Sequence, residues 1–254
     1  MTDKEKKYTP AREIVSPAGF INTDDISIQE LIGKKVILVD FWTYSCINCQ
    51  RTLPYITSWY EKYKDQGLQI IGVHTPEFEF EKKKENVAWA VDKYDIEYPV
   101  VLDNDYGTWT NYRNRYWPRK YLIDIDGYIV YDHIGEGAYE ETEKKIQELL
   151  AERAEKLNEQ QDIASGTVKP DDAESVAGNM PRSPEIYFGA WRNTYLGNGR
   201  TNNEGKENFS EPQGIKTNIL YLDGSWDIER EYAQNLEAGA KIIFRYQGQK
   251  VFMV

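Results

Sequence analysis

The sequence predicts an α/β domain followed by a second, smaller all-β domain, and three observations predict it. Short β-branched apolar runs alternate with helical patterns from about residue 17 to 158, which is the arrangement of α/β units. An Asp126-Gly127 pair between two apolar runs signals an antiparallel hairpin. From Glu159 to Arg182 apolar periodicity vanishes and Asp, Gly, Pro and Ser accumulate, so 159–182 reads as a linker, with short strands resuming over 183–254.

Taken in order, residues 1–16 form a charged N-terminal extension whose first ten residues read as loose. Phe20 to Gly33 offers a capping Asp or Ser, a helical turn with Ile28, Leu31 and Ile32, and a glycine stop. The central strand follows over about Lys35 to Trp42. Its continuous apolar character predicts burial on both faces, and Asp40 is the one anomaly in it. A carboxylate there titrates high through desolvation and can exchange a proton with a thiol at the strand end. A helix from about Cys49 to Lys64 carries Leu53, Ile56, Tyr60 and Tyr63 on one stripe, with Pro54 inside it and Gly67 at its end.

Leu68 to His74 is the next buried strand. His74 and Glu77 fall at its end, on the same sheet edge as the helix start, where they are candidates for proton handling. Val87, Ala90, Val91 and Tyr94 mark a further helix, and Tyr98 to Leu102 a short strand. Tyr106 to Tyr116 is aromatic at helical spacing. Pro118 opens the first hairpin strand after Trp117, a place where a cis bond is tolerated. The last helix runs from about Tyr139 past Leu150. Beyond the linker, Tyr187–Trp191, Asn218–Leu222, Ala240–Tyr246 and Lys250–Val254 read as strands, the last suggesting a sandwich that is truncated or ends in a strand.

The chemistry concentrates at Cys46 and Cys49, the only cysteines in the sequence. Two residues separate them at the junction of the central strand and its helix, so both thiols fall at a helix N-terminus. There the unpaired N–H groups and the helix dipole favour the Cys46 thiolate. Cys46 is therefore the expected nucleophile and Cys49, one turn further in, the resolving thiol. A zinc site needs more ligands than His74 and His133 supply at finger-like spacing, so no metal is expected. Thr43 gives the Thr-x-x-Cys spacing of peroxiredoxins, which keeps a thiol peroxidase open as an alternative, although Val39 stands where that motif has proline.

Forty-two acidic against 31 basic residues give a net charge of −11, which argues against nucleic acid as a partner. No apolar window is long enough to span a membrane, and Met1 to Val15 lacks a signal peptide's apolar segment. On composition alone the compartment stays open, the cytoplasm included.

Residues from about 17 to 152 resemble the thioredoxin superfamily, in particular the TlpA-like domain of DipZ-type proteins. The motifs are Val39-Asp-Phe-Trp-Thr-Tyr-Ser-Cys-Ile-Asn-Cys49, Gly72-Val-His-Thr-Pro-Glu-Phe78, Tyr116-Trp-Pro-Arg-Lys-Tyr-Leu-Ile-Asp124 and Gly135-Glu-Gly137. From Pro184-Glu-Ile-Tyr-Phe-Gly189 onward the chain is similar to the carbohydrate-binding-module-like β domain of the same proteins.

The resemblance implies a thioredoxin fold, a mixed sheet flanked by helices, with a sandwich-like second domain. It implies thiol-disulfide exchange with protein substrates through a redox-active Cys46–Cys49 disulfide and no other cofactor. Asp40 becomes the proton-handling carboxylate, Pro118 the cis-proline facing the disulfide, and Trp117, Ile47, Asn48 and Tyr44 the rim of a substrate groove. A membrane electron donor of the CcdA type and an extracytoplasmic location follow from the same likeness. Ile47-Asn48 replaces Gly-Pro between the cysteines and Ser45 replaces Trp before them. Ile47 and Asn48 bring no positive charge, so a reductant or mid-potential exchanger is expected before a strong oxidase. The alternative of another class makes the β domain a glycan- or protein-binding module, with Tyr187, Phe188, Trp191 and Tyr195 available for stacking.

Overall fold

The computed structural model describes residues 3–171, 173–174, 182–248 and 250–253. The chain divides into two compact units, Met1–Val176 and Ala177–Val254.

The first unit is built on β3 (Val36–Trp42), buried at every position. It pairs in parallel with β4 (Leu68–His74) and antiparallel with β6 (Arg119–Ile123). The remaining strands are β1 (Thr9–Pro10), β2 (Gly19–Ile21), β5 (Val100–Leu102) and β7 (Tyr128–Ile134), in the order β1-β7-β6-β3-β4-β5-β2. This is the mixed sheet expected. The hairpin at Gly127, with φ +86°, makes β6 and β7 antiparallel; the Asp124 carboxylate accepts from Asp126 and Tyr128 N–H and shapes the turn.

Strand parity sorts the core into two layers. Val36, Leu38 and Trp42 pack with α3 (Ile47–Tyr63), α4 (Lys84–Lys93) and α6 (Tyr139–Lys156). Ile37, Val39 and Phe41 pack on the other face, against α2 (Ile28–Leu31) and the aromatics of and after α5 (Gly107–Asn111). Asp40 has the parity of Leu38 and Trp42, so it lies in the α3 layer, beneath Cys49. Its register partners are Gly72 on β4 and Lys120 on β6.

Gly72 is required by its neighbours. A Cβ there would stand 3.0 Å from both Trp42 Nε1 and Tyr98 Cε2. Gly72→Ala is expected to destabilise the chain by about 1–3 kcal/mol, the cost of overpacking a filled core, measured as a lower urea midpoint at unchanged slope.

Several expectations are corrected here. Residues 3–10 are not loose: α1 (Asp3–Lys7) and β1 are ordered and Thr9 pairs with Ile129, while Ala11 and Ile14 after them pack on the second layer. β2 is too short, at three residues, to show a period in sequence. The stretch after α6 does not leave the first unit at once. Ile163, Ala164 and Val168 pack on its core, and Val168 N–H donates to the buried Glu143 carboxylate at 2.7 Å. Residues 172 and 175–181 of the expected linker lie outside the described residues.

The second unit is all-β. Its long strand β9 (Leu220–Ile228) pairs with β8 (Gly205–Phe209), β10 (Ala233–Asn235) and β11 (Lys241–Phe244), all antiparallel. Ala190, Leu196, Phe209, Leu220, Leu222, Trp226 and Ile228 form its core. Tyr187–Trp191 is irregular and not a strand: Ala190 and Trp191 N–H donate to the Glu229 and Arg230 carbonyls, while Phe188 packs inward. Lys250–Met253 has no regular structure either, and Val254 lies outside the described residues.

Candidate active site

Where β3 ends, the chain turns through Thr43, Tyr44 and Ser45, and Cys46 N–H closes the turn on the Thr43 carbonyl at 3.3 Å. Cys46 is the N-cap of α3, and its sulfur accepts the Cys49 N–H at 3.4 Å, the role a serine or aspartate oxygen plays at most helix starts. Both cysteines are free; Cys46 is half-buried and Cys49 buried. Burial first, then the hydrogen bond and charge of the Cys46 sulfur, push the Cys49 thiol well above its ordinary value. The Cys46 sulfur is thus the more accessible of the two, and burial favours the protonated form of Cys49.

Asp40, whose charge acts on Cys49, is the candidate base. It is 1% exposed, and burial raises its carboxyl to about 7, the attraction of Lys120 opposing the rise. Lys120 is fully buried, and burial lowers its ammonium although Asp40 works the other way. Both groups are pushed toward neutrality, so desolvation outweighs their mutual attraction. Lys120 Nζ donates to Gly135 O at 3.2 Å, and Asp40 Oδ1 makes no hydrogen bond. Tyr98, also fully buried, has its phenol pushed well up by burial and then by the charges of Asp40 and Cys49. Sequence reasoning found Asp40 as a charge in an apolar strand. It missed Lys120 and Tyr98, which only strand register brings into the same layer.

The Trp117–Pro118 bond is cis. The Phe41–Arg119 pair puts Pro118 opposite Trp42, at the sheet edge from which the cysteine turn departs. Trp117 is half-buried, donates from Nε1 to Thr75 O at 3.0 Å and lies against Trp109 with ring centres 4.2 Å apart. Tyr44 stacks on His74 at 5.7 Å, and its hydroxyl donates to Phe80 O at 3.4 Å. Ile47 and Asn48 form the half-buried first turn of α3; Asn48 Oδ1 accepts from Arg51, which also pairs with Glu136 and Glu174.

His74 is fully buried, and desolvation lowers its imidazole to about 3, so it stays neutral at physiological pH. Its Nε2 lies 3.4 Å from both Thr43 Oγ1 and Tyr44 N–H, which suits holding the turn better than moving protons. The Thr43 hydroxyl is therefore engaged by His74. Glu77 is half-buried in the loop after β4, and its N–H donates to Glu81 Oε2 at 2.5 Å.

Among the described residues, Asp124, Asp126 and Glu152 are the one carboxylate cluster with metal-ligand spacing. Lys4 Nζ already bonds all three at 2.6–2.7 Å, and Lys156 pairs with Asp126 and Glu152, so ammonium groups already serve these carboxylates as counter-charges.

A family model described as the AhpC/TSA family matches residues 11–132, and one described as a thioredoxin like C-terminal domain matches residues 183–254. Protein DipZ of Mycobacterium tuberculosis is 40% identical over 247 residues, covering 96% of this chain and 34% of DipZ, so the chain spans about a third of that relative. Thiol-disulfide oxidoreductase ResA of Bacillus cereus is 34% identical over 134 residues, covering 51% of this chain and 74% of ResA. A solved thioredoxin-like protein in its oxidised form superposes with a TM-score of 0.53 at 27% identity, over 57% of this chain and 97% of that one. With ResA matched over most of its length and DipZ across both units, the chain belongs to the thioredoxin superfamily, among its TlpA-like thiol-disulfide oxidoreductases.

Proposed function

We propose that the chain exchanges disulfides with protein substrates through Cys46 and Cys49, acting as a reductant. The observation that carries this reading is the asymmetry of the pair: a half-buried sulfur at a helix N-cap, and a buried thiol whose burial favours the protonated form. The Cys46 thiolate attacks a substrate disulfide, forming a mixed disulfide and releasing one substrate thiolate. Cys49 passes its proton to Asp40 and attacks Cys46, which releases the second substrate thiolate and leaves Cys46–Cys49 oxidised. In this reading Trp117, Tyr44, Ile47 and Asn48 form the rim of the substrate groove, and the cis Pro118 supplies backbone for the substrate strand.

A peroxidase is disfavoured by the Thr43–His74 contact and by relatives named as thiol-disulfide oxidoreductases. Kinship with DipZ supports an extracytoplasmic setting and a membrane donor of the CcdA type that returns electrons to the pair. No helix among the described residues is long and apolar enough to cross a membrane. On the second unit, Trp191 is an exposed aromatic, like Tyr232 and Tyr246, and the one flanked by the Arg192 and Arg230 guanidinium groups, 5.0 and 5.2 Å from its ring centre, which makes it the place to look for a stacked glycan.

Cys49→Ser tests the exchange reading. The variant is expected to accumulate mixed disulfides between Cys46 and protein substrates, visible as adducts that reductant dissolves. A variant that reacts with disulfides yet never retains an adduct contradicts it.

A further inference from the structure

The loop after β4 holds a buried carboxylate that the exchange steps do not use. Glu81 is fully buried although it stands in the charged run Glu79-Phe-Glu-Lys-Lys-Lys-Glu85. Its Oε2 accepts the Glu77 and Phe78 N–H groups at 2.5 and 2.9 Å, which caps the 3₁₀ turn Glu79–Lys82 in the way a glutamate caps a helix start. Its Oε1 crosses to the other loop, where it accepts the Ser45 hydroxyl at 2.5 Å and the Ser45 N–H at 3.4 Å. All four contacts are donors, so both oxygens act as acceptors, the bonding pattern of an ionised carboxylate.

Capping its own turn would use only one oxygen. The other holds the residue that directly precedes Cys46. The Thr43–Cys46 turn is therefore fastened by Glu81 through Ser45, by His74 at Tyr44 N–H, and by the Tyr44 hydroxyl on Phe80 O. Ser45 is also where this sequence departs from the tryptophan that usually precedes the first cysteine, and a tryptophan has no hydroxyl to give this oxygen.

We propose that Glu81 is a positioning residue for thiol-disulfide exchange: it fixes the Cys46 turn through Ser45, and its buried negative charge beside that turn sets how readily the dithiol gives up electrons. A negative charge near the Cys46 sulfur opposes its thiolate, and a dithiol whose thiolate is opposed is the better reductant. The inference rests on the reading that Cys46 is the attacking thiol.

The full chain and two variants are equilibrated with glutathione buffers, quenched by alkylation and weighed. Glu81→Gln keeps the shape and removes the charge; its equilibrium is expected to move about tenfold toward the dithiol, which for two electrons is about 30 mV more oxidising. Ser45→Ala cuts only the tie between the loops and leaves the cap on Glu77 and Phe78. It is expected to slow reaction of Cys46 with a small aromatic disulfide by about threefold or more. An equilibrium within about twofold of the parent for Glu81→Gln, or an unchanged rate for Ser45→Ala, overturns the proposal and leaves Glu81 a turn cap. If Glu81→Gln does not fold, the Ser45→Ala rate decides alone. Peptide mapping of the briefly alkylated parent reads the premise separately: label on Cys46 supports it, and label on Cys49 removes it whatever the variants do.

Discussion

Cys46→Ser is expected to reduce insulin no faster than the uncatalysed background, a loss of about a thousandfold or more, because a serine hydroxyl neither ionises nor attacks sulfur at neutral pH. The substitution is clean for a structural reason. Cys46 caps α3 through its side chain, and serine is among the best residues for that position. The variant should therefore unfold at the parent's temperature or slightly above it. Full insulin reduction by a folded Cys46→Ser chain would refute the enzyme mechanism, and loss of activity together with loss of fold would show that the cap had been misjudged.

Asp40→Asn is expected to slow resolution of a preformed mixed disulfide by roughly tenfold or more at pH 8, with little effect at pH 6. In the parent, the carboxyl titrates near 7, so it is a proton acceptor above that pH and already protonated below it. The resolution rate of the parent should thus climb as pH rises through about 7, and the variant should lack that rise. Cys46 is tied up in the mixed disulfide during this step, so its own ionisation does not enter. A variant that keeps the rise would remove Asp40 from the mechanism.

The same carboxyl makes a statement about stability. Its folded-state pKa lies above the ordinary 3.8, so its contribution is intact below about pH 4 and is lost as pH rises to about 7. The loss is on the order of 4 kcal/mol. Unfolding free energies of Asp40→Asn and parent, compared between pH 4 and 8, should shift in the variant's favour by an amount of that order. Lys120 belongs to the same arrangement, since a buried ammonium without Asp40 is itself a cost. Burying the pair comes at the expense of stability.

Much of this site was legible in the sequence because it is written in contiguous residues. An apolar run broken by one carboxylate, then two cysteines at a helix start, specifies β3, Asp40, Cys46 and Cys49 without any long-range information. What was not legible depends on register. Lys120 reads as an ordinary polar residue before a hairpin until β6 is laid beside β3 and its side chain turns out to share Asp40's layer. Tyr98 reads as the start of a strand, yet it crosses the space that Gly72 leaves open.

Glu81 is hidden differently, in a run of charges that looks like a solvated face while one of its members is turned inward. Lys4 hides in the N-terminal charges and bonds three carboxylates more than a hundred residues away. In the second unit, Tyr187–Trp191 looked like a strand because it is aromatic, whereas β8, Gly-Lys-Glu-Asn-Phe, is a strand with almost no apolar signal. Cross-strand pairing with β9, not composition, decides which of them joins the sheet.

The central claim is that Cys46 and Cys49 form one two-electron couple at the mouth of this sheet. It is tested most directly by titrating the whole chain against glutathione and locating the oxidised bond by mass spectrometry. A single transition between dithiol and an intramolecular Cys46–Cys49 disulfide, at a potential clearly more reducing than about −120 mV, is the result predicted. Two thiols that never join, or a stable glutathione adduct on Cys46 with Cys49 still free, would contradict it.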